Sequence, residues 1–549
     1  MFKFRILSLV MMLAFAAFIS IVPATAQSFT VQILHNNDGE SKLFPAADGY
    51  GGAAQFLGTL NSLRFDAFRN QIPSILLSSG DNFLASPELQ ASLNLPADQA
   101  PYDSRVLSTF VYDALCLGNH DFDFGPEFLA RFINGFDPTR KAPVFLSANL
   151  DFSGEPSLQA LVETGKIAAS TKVFRGREVI GIVGLTTPNL RNISSPRNVR
   201  VNVAIAQAVQ TEIDKLTASG VNKIILISHL QGVEEDLELI PTLRNVDIVI
   251  AGGGDDILAN DPSQVIPGDI IEGAYPTIVR DANGNQVYVV TTGGDYRYVG
   301  NLTVTFDANG VITNIGDNSG PVPVIGKVNP TVTNLLEPVS AFVNSLDATI
   351  IGRTEVDLDG RRNSIRGVET NEGNLVADAF LWQARELAAS FGTATPDVAI
   401  ANGGGIRNNN IIAAGSDISV RTTFNILPFG NFVSVVNPIS ADQFKFIMEN
   451  SVANITPAGP AGDGTGRFAQ VAGFTFEYDV NGTPAQIAVD GTVLNRGSRV
   501  VTITLSDGTK IVENGVVIAG ARNVNVVTTD FTARGGDQFL LKLALQHLV

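Results

Sequence analysis

The chain has 549 residues, 45% of them apolar and 8% aromatic, and carries a formal net charge of −17. That length and apolar content are enough for about two to four domains with sizeable cores. The acidic balance speaks against a nucleic-acid polymer or an anionic membrane as the main partner, because both demand basic surface. Any phosphate handled by such a chain must meet local positive charge, from metals or from a few placed arginines.

Residues 1–26 read as an export signal rather than part of the fold. Lys3 and Arg5 form a basic start, Ile6 to Val22 is mostly apolar, and Ala24-Thr25-Ala26 precedes Gln27 as a small-residue cleavage site. No later apolar run is long enough to span a bilayer. The expectation is a periplasmic or secreted protein with no membrane anchor. The single cysteine, Cys116, excludes an intrachain disulfide and a Cys-rich zinc site, and reads as a small core residue. Histidine is scarce: His35, His120, His229 and His547.

From residue 28 to about 325, short apolar runs alternate with helical stretches. The runs are Thr30–Leu34, Ser74–Leu77, Asp113–Leu117, Val144–Leu146, Val179–Val183, Lys223–Ile227 and Asp247–Ile250. Such alternation predicts a layered α/β fold, in which ligands gather at the carboxyl ends of strands. Polar residues stand at nearly every such end: Asp38, Asp81, Asn119-His120, Asn149, Thr186-Thr187, His229 and Gly253–Asp256. Gly320-Pro321-Val322-Pro323 and Pro330 mark a boundary, followed by a bridging helix over 326–345. The second half, 346–549, has a predicted helix at Asn374–Ser390, strands near Val398–Ala401 and Phe432–Val436, a helix at Ala441–Ser451 and β-rich pattern after it. Trp382 and the other aromatics of the first of these helices read as packing.

The richest stretch is Leu117-Gly118-Asn119-His120-Asp121-Phe122-Asp123. An amide oxygen here can ligate a metal, the imidazole can donate a proton to a leaving oxygen, and a carboxylate three residues on can hold that imidazole in one tautomer. Together with Asn37-Asp38-Gly39-Glu40, Gly80-Asp81-Asn82, Ser147-Ala148-Asn149, Gly184-Leu185-Thr186-Thr187-Pro188, Ser194-Ser195-Pro196, Ser228-His229 and Gly252-Gly253-Gly254-Asp255-Asp256, it resembles the calcineurin-like metallophosphatases, and within them the bacterial 5′-nucleotidase family.

The resemblance implies an N-terminal four-layer α/β/β/α metallophosphatase domain over 27–325 and a C-terminal mixed α/β substrate-binding domain over 346–549. It implies two divalent metal ions and a hydroxide between them attacking phosphorus in line. Asp81 is then the bridging carboxylate, Asp38 and Glu40 serve the first metal, and Asn119 and His229 the second. His120 stabilises the transition state or protonates the leaving group, and Asp123 orients it. Two departures stand out. The family's Asp-x-His is Asp38-Gly39-Glu40 here, and its Gly-His-x-His aligns with Gly252-Gly253-Gly254-Asp255. Glu40 and Asp255 still offer oxygen, and Asp256 is expected to turn in and compensate for Gly253. An oxygen-rich, His-poor set favours Ca²⁺, Mg²⁺, Mn²⁺ or iron over Zn²⁺. The added carboxylate charge predicts activity at alkaline pH.

The second half carries Glu369-Thr370-Asn371-Glu372-Gly373-Asn374, Asn402-Gly403-Gly404-Gly405-Ile406-Arg407, Leu427-Pro428-Phe429-Gly430-Asn431 and Asp530-Phe531-Thr532-Ala533-Arg534-Gly535-Gly536-Asp537, which look like the 5′-nucleotidase C-terminal domain. By that resemblance Phe429 and Phe531 stack on a nucleobase, and Arg362, Arg366 and Arg407 hold phosphate or ribose-side anions, with Arg361 an alternative to Arg362. Asn402 belongs to the Gly-rich strand end. Asp537 meets a ribose hydroxyl or braces its loop, and Gln538-Phe539 stands where the family has Gly-Tyr. The implied function is an exported phosphoester hydrolase that releases phosphate from small nucleotides, extending to 2′,3′-cyclic phosphodiesters or broad alkaline phosphatase activity. Two other readings stay open: a nucleotide-binding protein with a crippled metal site, and a phosphatase without nucleotide preference.

Overall fold

A computed structural model describes residues 28–456 and 466–541, together with the backbone of Leu545–His547. The export-signal reading of residues 1–26 lies outside the described residues. Among the described residues no helix is long and apolar enough to cross a membrane.

All seven apolar runs of the first half are strands. They build two sheets. One runs in the order Ile312–Ile315, Tyr298–Phe306, Phe29–Asn36, Ser74–Ser78, Ala114–Cys116, Val144–Leu146, Ile167–Ala168, with Gly320–Pro323 pairing on Tyr298–Phe306. The other runs Thr277–Arg280, Gln286–Val290, Ile248–Ile250, Ile224–His229, Glu178–Thr186, Ser170–Arg175. The central strands of each sheet are parallel. Parallel strands covered on both faces require continuous apolar runs rather than alternation, which is why Ile224-Ile225-Leu226-Ile227 is apolar throughout and essentially inaccessible.

The sheets pack face to face. Val31, Ile33, Ile75 and Leu77 of the first share one core with Ile182, Ile225, Ile227 and Val249 of the second. The outer face of the first sheet (Leu34, Leu76, Leu115) is covered by helices Ala53–Arg69, Tyr102–Phe110 and Gly125–Asn134, and helix Ile205–Ala218 covers the second. The result is helix, sheet, sheet, helix. Cys116 is fully buried between the sheets and free.

The bridging helix spans Pro330–Asp347, two residues beyond the expected end. The Asn329 side chain caps it, accepting from the Thr331 and Val332 N–H groups, and Pro330 sits at its first position. Its buried face, Val332, Leu336, Val339 and Val343, joins the helical core of the first half. At its other end Asp347 pairs with Arg421 at 2.7 Å.

The second half is built on the sheet Ala469–Ala472, Val398–Asn402, Val524–Thr529, Val433–Ile439, Leu545–His547. Helix Asn371–Phe391 covers one face and helix Ala441–Ser451 the other. The first helix starts three residues earlier than its apolar pattern suggested, because the Thr370 side chain accepts the Gly373 N–H as an N-cap. One expectation fails on it. Trp382 is 64% exposed, because the buried stripe of this helix runs through Val376, Ala377, Leu381, Ala384 and Ala388 and leaves Trp382 on the solvent side.

Candidate active site

The parallel strands deliver their carboxyl ends to one edge, and there the chain turns sharply. Asp38, Glu40 and Asp81 are non-glycine residues with φ of 48°, 49° and 49°. Such left-handed backbone is costly and persists only where surrounding bonds hold it. Those bonds are present: Asp38 N–H donates to Gly80 O at 3.0 Å, Glu40 N–H to Asp81 O at 3.0 Å, and Asp295 N–H to Asp38 O at 2.7 Å. Gly118 passes so close that a Cβ there would lie 2.1 Å from Asp81 Oδ1, so no larger residue fits.

Around these turns predicted ligands converge with His120. Among the described residues, Asp38, Asp81 and His229 form one group with ligand atoms within 4.8 Å of one another, and Glu40, Asp81 and His120 form a second. Asp81 belongs to both. His229 Nε2 lies 3.0 Å from Asp81 Oδ2 and 3.2 Å from Asn119 Oδ1, and its Nδ1 faces the Ser79 carbonyl at 2.7 Å. His120 N–H donates to Asp81 Oδ1 at 2.7 Å. On the imidazole, Nδ1 meets Asp123 Oδ2 at 2.6 Å.

The electrostatics are those of an acidic cluster taken out of water. Burial, with Asp81 and Glu40 nearby, pushes the Asp38 carboxyl well above its usual range. Burial raises Glu40 to about 7, with Asp295 adding to the effect against His120 and Arg407. Burial alone would discharge the histidines, but the surrounding carboxylates overcome it. Asp123 and Asp81 hold His120 up at about 9, and Asp81 and Asp38 hold His229 at about 10. Burial also works on Asp81, yet the two imidazoles keep its pKa below the ordinary value.

The altered motif at 252–256 behaves differently from the expectation. Gly253 has φ of +91°, and a Cβ on it would lie 1.7 Å from the Leu230 carbonyl oxygen. A histidine cannot occupy this backbone. Instead the Gly253 N–H donates to Asp38 Oδ2 at 3.0 Å. Asp256 does not turn in to compensate. Its Oδ2 accepts the Val233 N–H at 2.9 Å, at the start of helix Val233–Leu239, where an anion is favoured. The Glu272 carboxyl shares a hydrogen bond with Asp256 and is held up at about 7 by it. Asp255 stands at the rim with a 77% exposed side chain, 3.5 Å from Arg362.

The second half faces this cluster across a cleft of about 740 Å³. Arg362, Arg366, Asn402, Arg407, Phe429, Phe531 and Asp537 all line it, as do Asp38, Glu40, Asp81, Asn119, His120, Asp123 and Asp255. Arg361 turns away to Asp359 at 2.7 Å, leaving Arg362 in the cleft. Arg407 stacks on Phe429, 5.4 Å from the ring centroid, and its Nη2 lies 3.1 Å from His120 Nε2. The Phe429 and His120 rings stack with centroids 6.4 Å apart. Arg366 Nε is buried without a hydrogen-bond partner, and burial together with Arg407 and Arg362 lowers its pKa to about 9. Asp537 Oδ2 accepts from Asn402 Nδ2 at 2.7 Å, so it braces the Gly-rich strand end. A Cβ on Gly536 would meet the Phe531 ring at 2.5 Å, so this glycine lets the ring lie flat on the turn.

Several residues of the site were not singled out from sequence. Asp121 is fully buried and accepts from the N–H groups of Asn82 and Gly118, tying two ligand loops together. Gln231 Nε2 donates to Asn119 Oδ1 at 3.0 Å. Ser194 Oγ donates to Asp123 Oδ1 at 2.7 Å. Asp121 stands within Leu117–Asp123 and Ser194 within Ser194-Ser195-Pro196, whereas Gln231 is marked in the sequence only by standing two residues after His229.

A family model described as the 5′-nucleotidase C-terminal domain matches residues 350–543. The 5′-nucleotidase of Mus musculus is 30% identical over 548 residues, covering 96% of this chain and 87% of that protein. A trifunctional nucleotide phosphoesterase protein of Bacillus subtilis is 29% identical over 521 residues, which are 90% of this chain but 32% of that much longer protein. The crystal structure of a 5′-nucleotidase precursor from Thermus thermophilus superposes with a TM-score of 0.75 at 30% identity, covering 95% of this chain and 93% of that one. With identity at that level along nearly its full length, the chain belongs to the 5′-nucleotidase family.

Proposed function

We propose that this protein is an exported phosphomonoester hydrolase that releases phosphate from 5′-nucleotides in the cleft between its two halves. The observation that carries the reading is the contact between Arg407 and His120. Arg407 has only donors, so at 3.1 Å across the cleft its Nη2 donates to His120 Nε2 when that nitrogen carries no proton. A phosphate dianion entering beside this pair accepts from the guanidinium in place of the imidazole, and from Nε2 once that nitrogen is protonated. Arg362 and the partnerless Arg366 Nε complete a donor set of the kind that suits phosphoryl oxygens.

The donor set on the other wall suits divalent cations. Asp38 and Asp81 are buried, Glu40 is half-buried beside Asp81, and burial pushes the Asp38 and Glu40 carboxyls up. Asp38, Asp81, Asn119 and His229, with Glu40 beside the shared Asp81, are the residues assigned to hold them; the oxygen-rich set favours Ca²⁺, Mg²⁺, Mn²⁺ or iron. Bound there, two such ions supply positive charge to the phosphoryl group and a water of lowered pKa.

The remaining work falls to the chain itself. Asp123 holds the proton on His120 Nδ1 and so presents Nε2 to the leaving ribose oxygen. The three arginines orient the phosphoryl group, and Phe429 and Phe531 offer ring faces to the base. The export reading rests on the pattern of residues 1–26. The test is a phosphate-release screen on purified protein over AMP, 2′,3′-cyclic AMP and glycerol phosphate, with Ca²⁺, Mg²⁺, Mn²⁺ or Fe²⁺ added and bound metal measured by elemental analysis. Turnover of AMP at higher kcat/KM than glycerol phosphate supports the reading. AMP binding without phosphate release under any of these ions rejects it in favour of a nucleotide-binding protein.

A further inference from the structure

A short hairpin of the second half reaches across to the first. Its strands are Gln486–Ile487 and Val493–Asn495, and its tip is closed by Ala488 N–H to Thr492 O at 2.8 Å and Gly491 N–H to Ala488 O at 2.9 Å. Gln538 holds its base. The side-chain amide donates to the carbonyls of Ile487 and Ala488 at 3.3 and 3.2 Å, while its Oε1 accepts from Arg467 at 2.9 Å. A glycine at 538 could make none of these bonds.

At the tip, the Val489 carbonyl accepts from Asn192 Nδ2 at 3.1 Å. Asn192 lies in the short helix Leu190–Ile193 of the first half, and the same amide also donates to Asn189 Oδ1 at 2.7 Å. Two residues further, Ser194 is bonded through its hydroxyl to Asp123 Oδ1 at 2.7 Å. The other oxygen of Asp123 holds His120. Both oxygens of the carboxylate that orients His120 are therefore committed, one of them to a residue two positions from an inter-half contact.

We infer that Ser194 and Asn192 are positioning residues that tie the seating of the second half, through its 486–495 hairpin and Gln538, to the orientation of His120. The inference rests on the reading of His120 as the proton donor. When the hairpin sits on Asn192, the helix Leu190–Ile193 is held and the Ser194 hydroxyl pins Asp123. Without that contact the helix Leu190–Ile193 keeps its own bonds to Asn189 and Leu190, the Ser194 hydroxyl is held less firmly, and so is the Asp123 carboxylate that orients the imidazole. A general acid that is off line by a fraction of an ångström loses much of its effect. The hairpin thus makes the acid competent when the base-binding half is in place.

A leaving-group comparison tests this. AMP departs as an alkoxide and needs a proton; p-nitrophenyl phosphate departs as a stabilised phenolate and does not. His120→Ala is expected to lower kcat for AMP about 100-fold or more, with a far smaller effect on p-nitrophenyl phosphate. Ser194→Ala, Asn192→Ala and Gln538→Glu, which keeps the acceptor for Arg467 but loses the donors to the hairpin, are expected to lower kcat for AMP roughly 5- to 30-fold and that for p-nitrophenyl phosphate less than about 2-fold. Ser194→Thr, which keeps the hydroxyl, restores activity on AMP. Thermal melts of each variant confirm that the fold is kept. If His120→Ala shows the bias and Asn192→Ala and Gln538→Glu lower both substrates equally or neither, the inference is overturned while the function stands. If His120→Ala shows no bias, the acid reading itself falls and takes the inference with it.

Discussion

The backbone N–H of Gly253 donates to the carboxylate of Asp38 at 3.0 Å, at the position that the resemblance matches to a histidine of the Gly-His-x-His motif. An imidazole has no room on this backbone, because its φ is +91° and a Cβ would lie 1.7 Å from Leu230 O. Restoring the family residue should fail. Gly253→His is expected to destabilise the protein by about 2 kcal/mol or more through backbone strain and overpacking, and to weaken divalent-cation binding in calorimetric titration. Tighter binding of a second ion by this variant would show that the loop rearranges freely and that the glycine is incidental.

The same buried carboxylates predict how metal affects stability. Asp38 and Glu40 each stand within ligand distance of Asp81, and burial pushes both carboxyls up, so a cation there would displace protons and bring the carboxylates into their charged form. A cation that binds only the folded state stabilises it, by about 2.7 kcal/mol at a concentration 100 times Kd. The melting temperature should rise with added Ca²⁺, Mg²⁺ or Mn²⁺ and fall on chelation, and Asp81→Asn should abolish the rise, because Asp81 belongs to both ligand groups. A melting temperature indifferent to all these ions would remove the metal reading.

How far these features were legible in the sequence depends on the range of the interactions involved. Each apolar run of the first half is a strand because strands sandwiched between two layers cannot alternate, and that pattern is local. The convergence of Asp38, Asp81, Asn119, His120 and His229 followed from parallel strands sharing a carboxyl edge. The choice between Asp255 and Asp256 did not. Two adjacent carboxylates in a glycine-rich turn look alike until helix Val233–Leu239 offers an unpaired N–H to one of them. Trp382 had no local mark of exposure, since which stripe of helix Asn371–Phe391 is buried depends on the sheet it meets. Gln538 and its hairpin are joined by bonds across some fifty residues, and Val489 to Asn192 across 297. No periodicity reports contacts of that kind.

Glu372 makes a prediction about pH and stability. It is buried beside Gly360, with Oε2 accepting from Asn408 Nδ2 at 3.1 Å and Oε1 unpartnered. Burial raises its pKa from 4.5 to about 7. A carboxyl whose pKa is raised on folding binds its proton more tightly in the native state, so its contribution is fully present below about 4.5 and is lost as pH rises through 7. Glu372→Gln keeps the shape without the ionisation. Denaturant unfolding of wild type and variant between pH 4 and 8 should show the wild type losing more stability over that interval; parallel curves would mean that Glu372 does not titrate there.

The pair His120–Asp123 makes the last prediction, on rate. Burial opposes charge on His120, but Asp123 and Asp81 hold its pKa at about 9. As a proton donor it must be protonated, so kcat/KM should stay high through neutral and mildly alkaline pH and fall as pH rises through about 9. Asp123→Asn removes the carboxylate that does most to raise this pKa and weakens the acceptor that fixes the Nδ1 proton. The alkaline limb of the profile should move to lower pH, and the plateau should drop about 100-fold as the wrong tautomer becomes populated. Elemental analysis of the variant should return the same metal content as wild type, since Asp123 belongs to neither ligand group. A profile for the wild type with its optimum below neutrality, or an Asp123→Asn limb that does not move, would show that His120 is not the group whose ionisation limits the reaction.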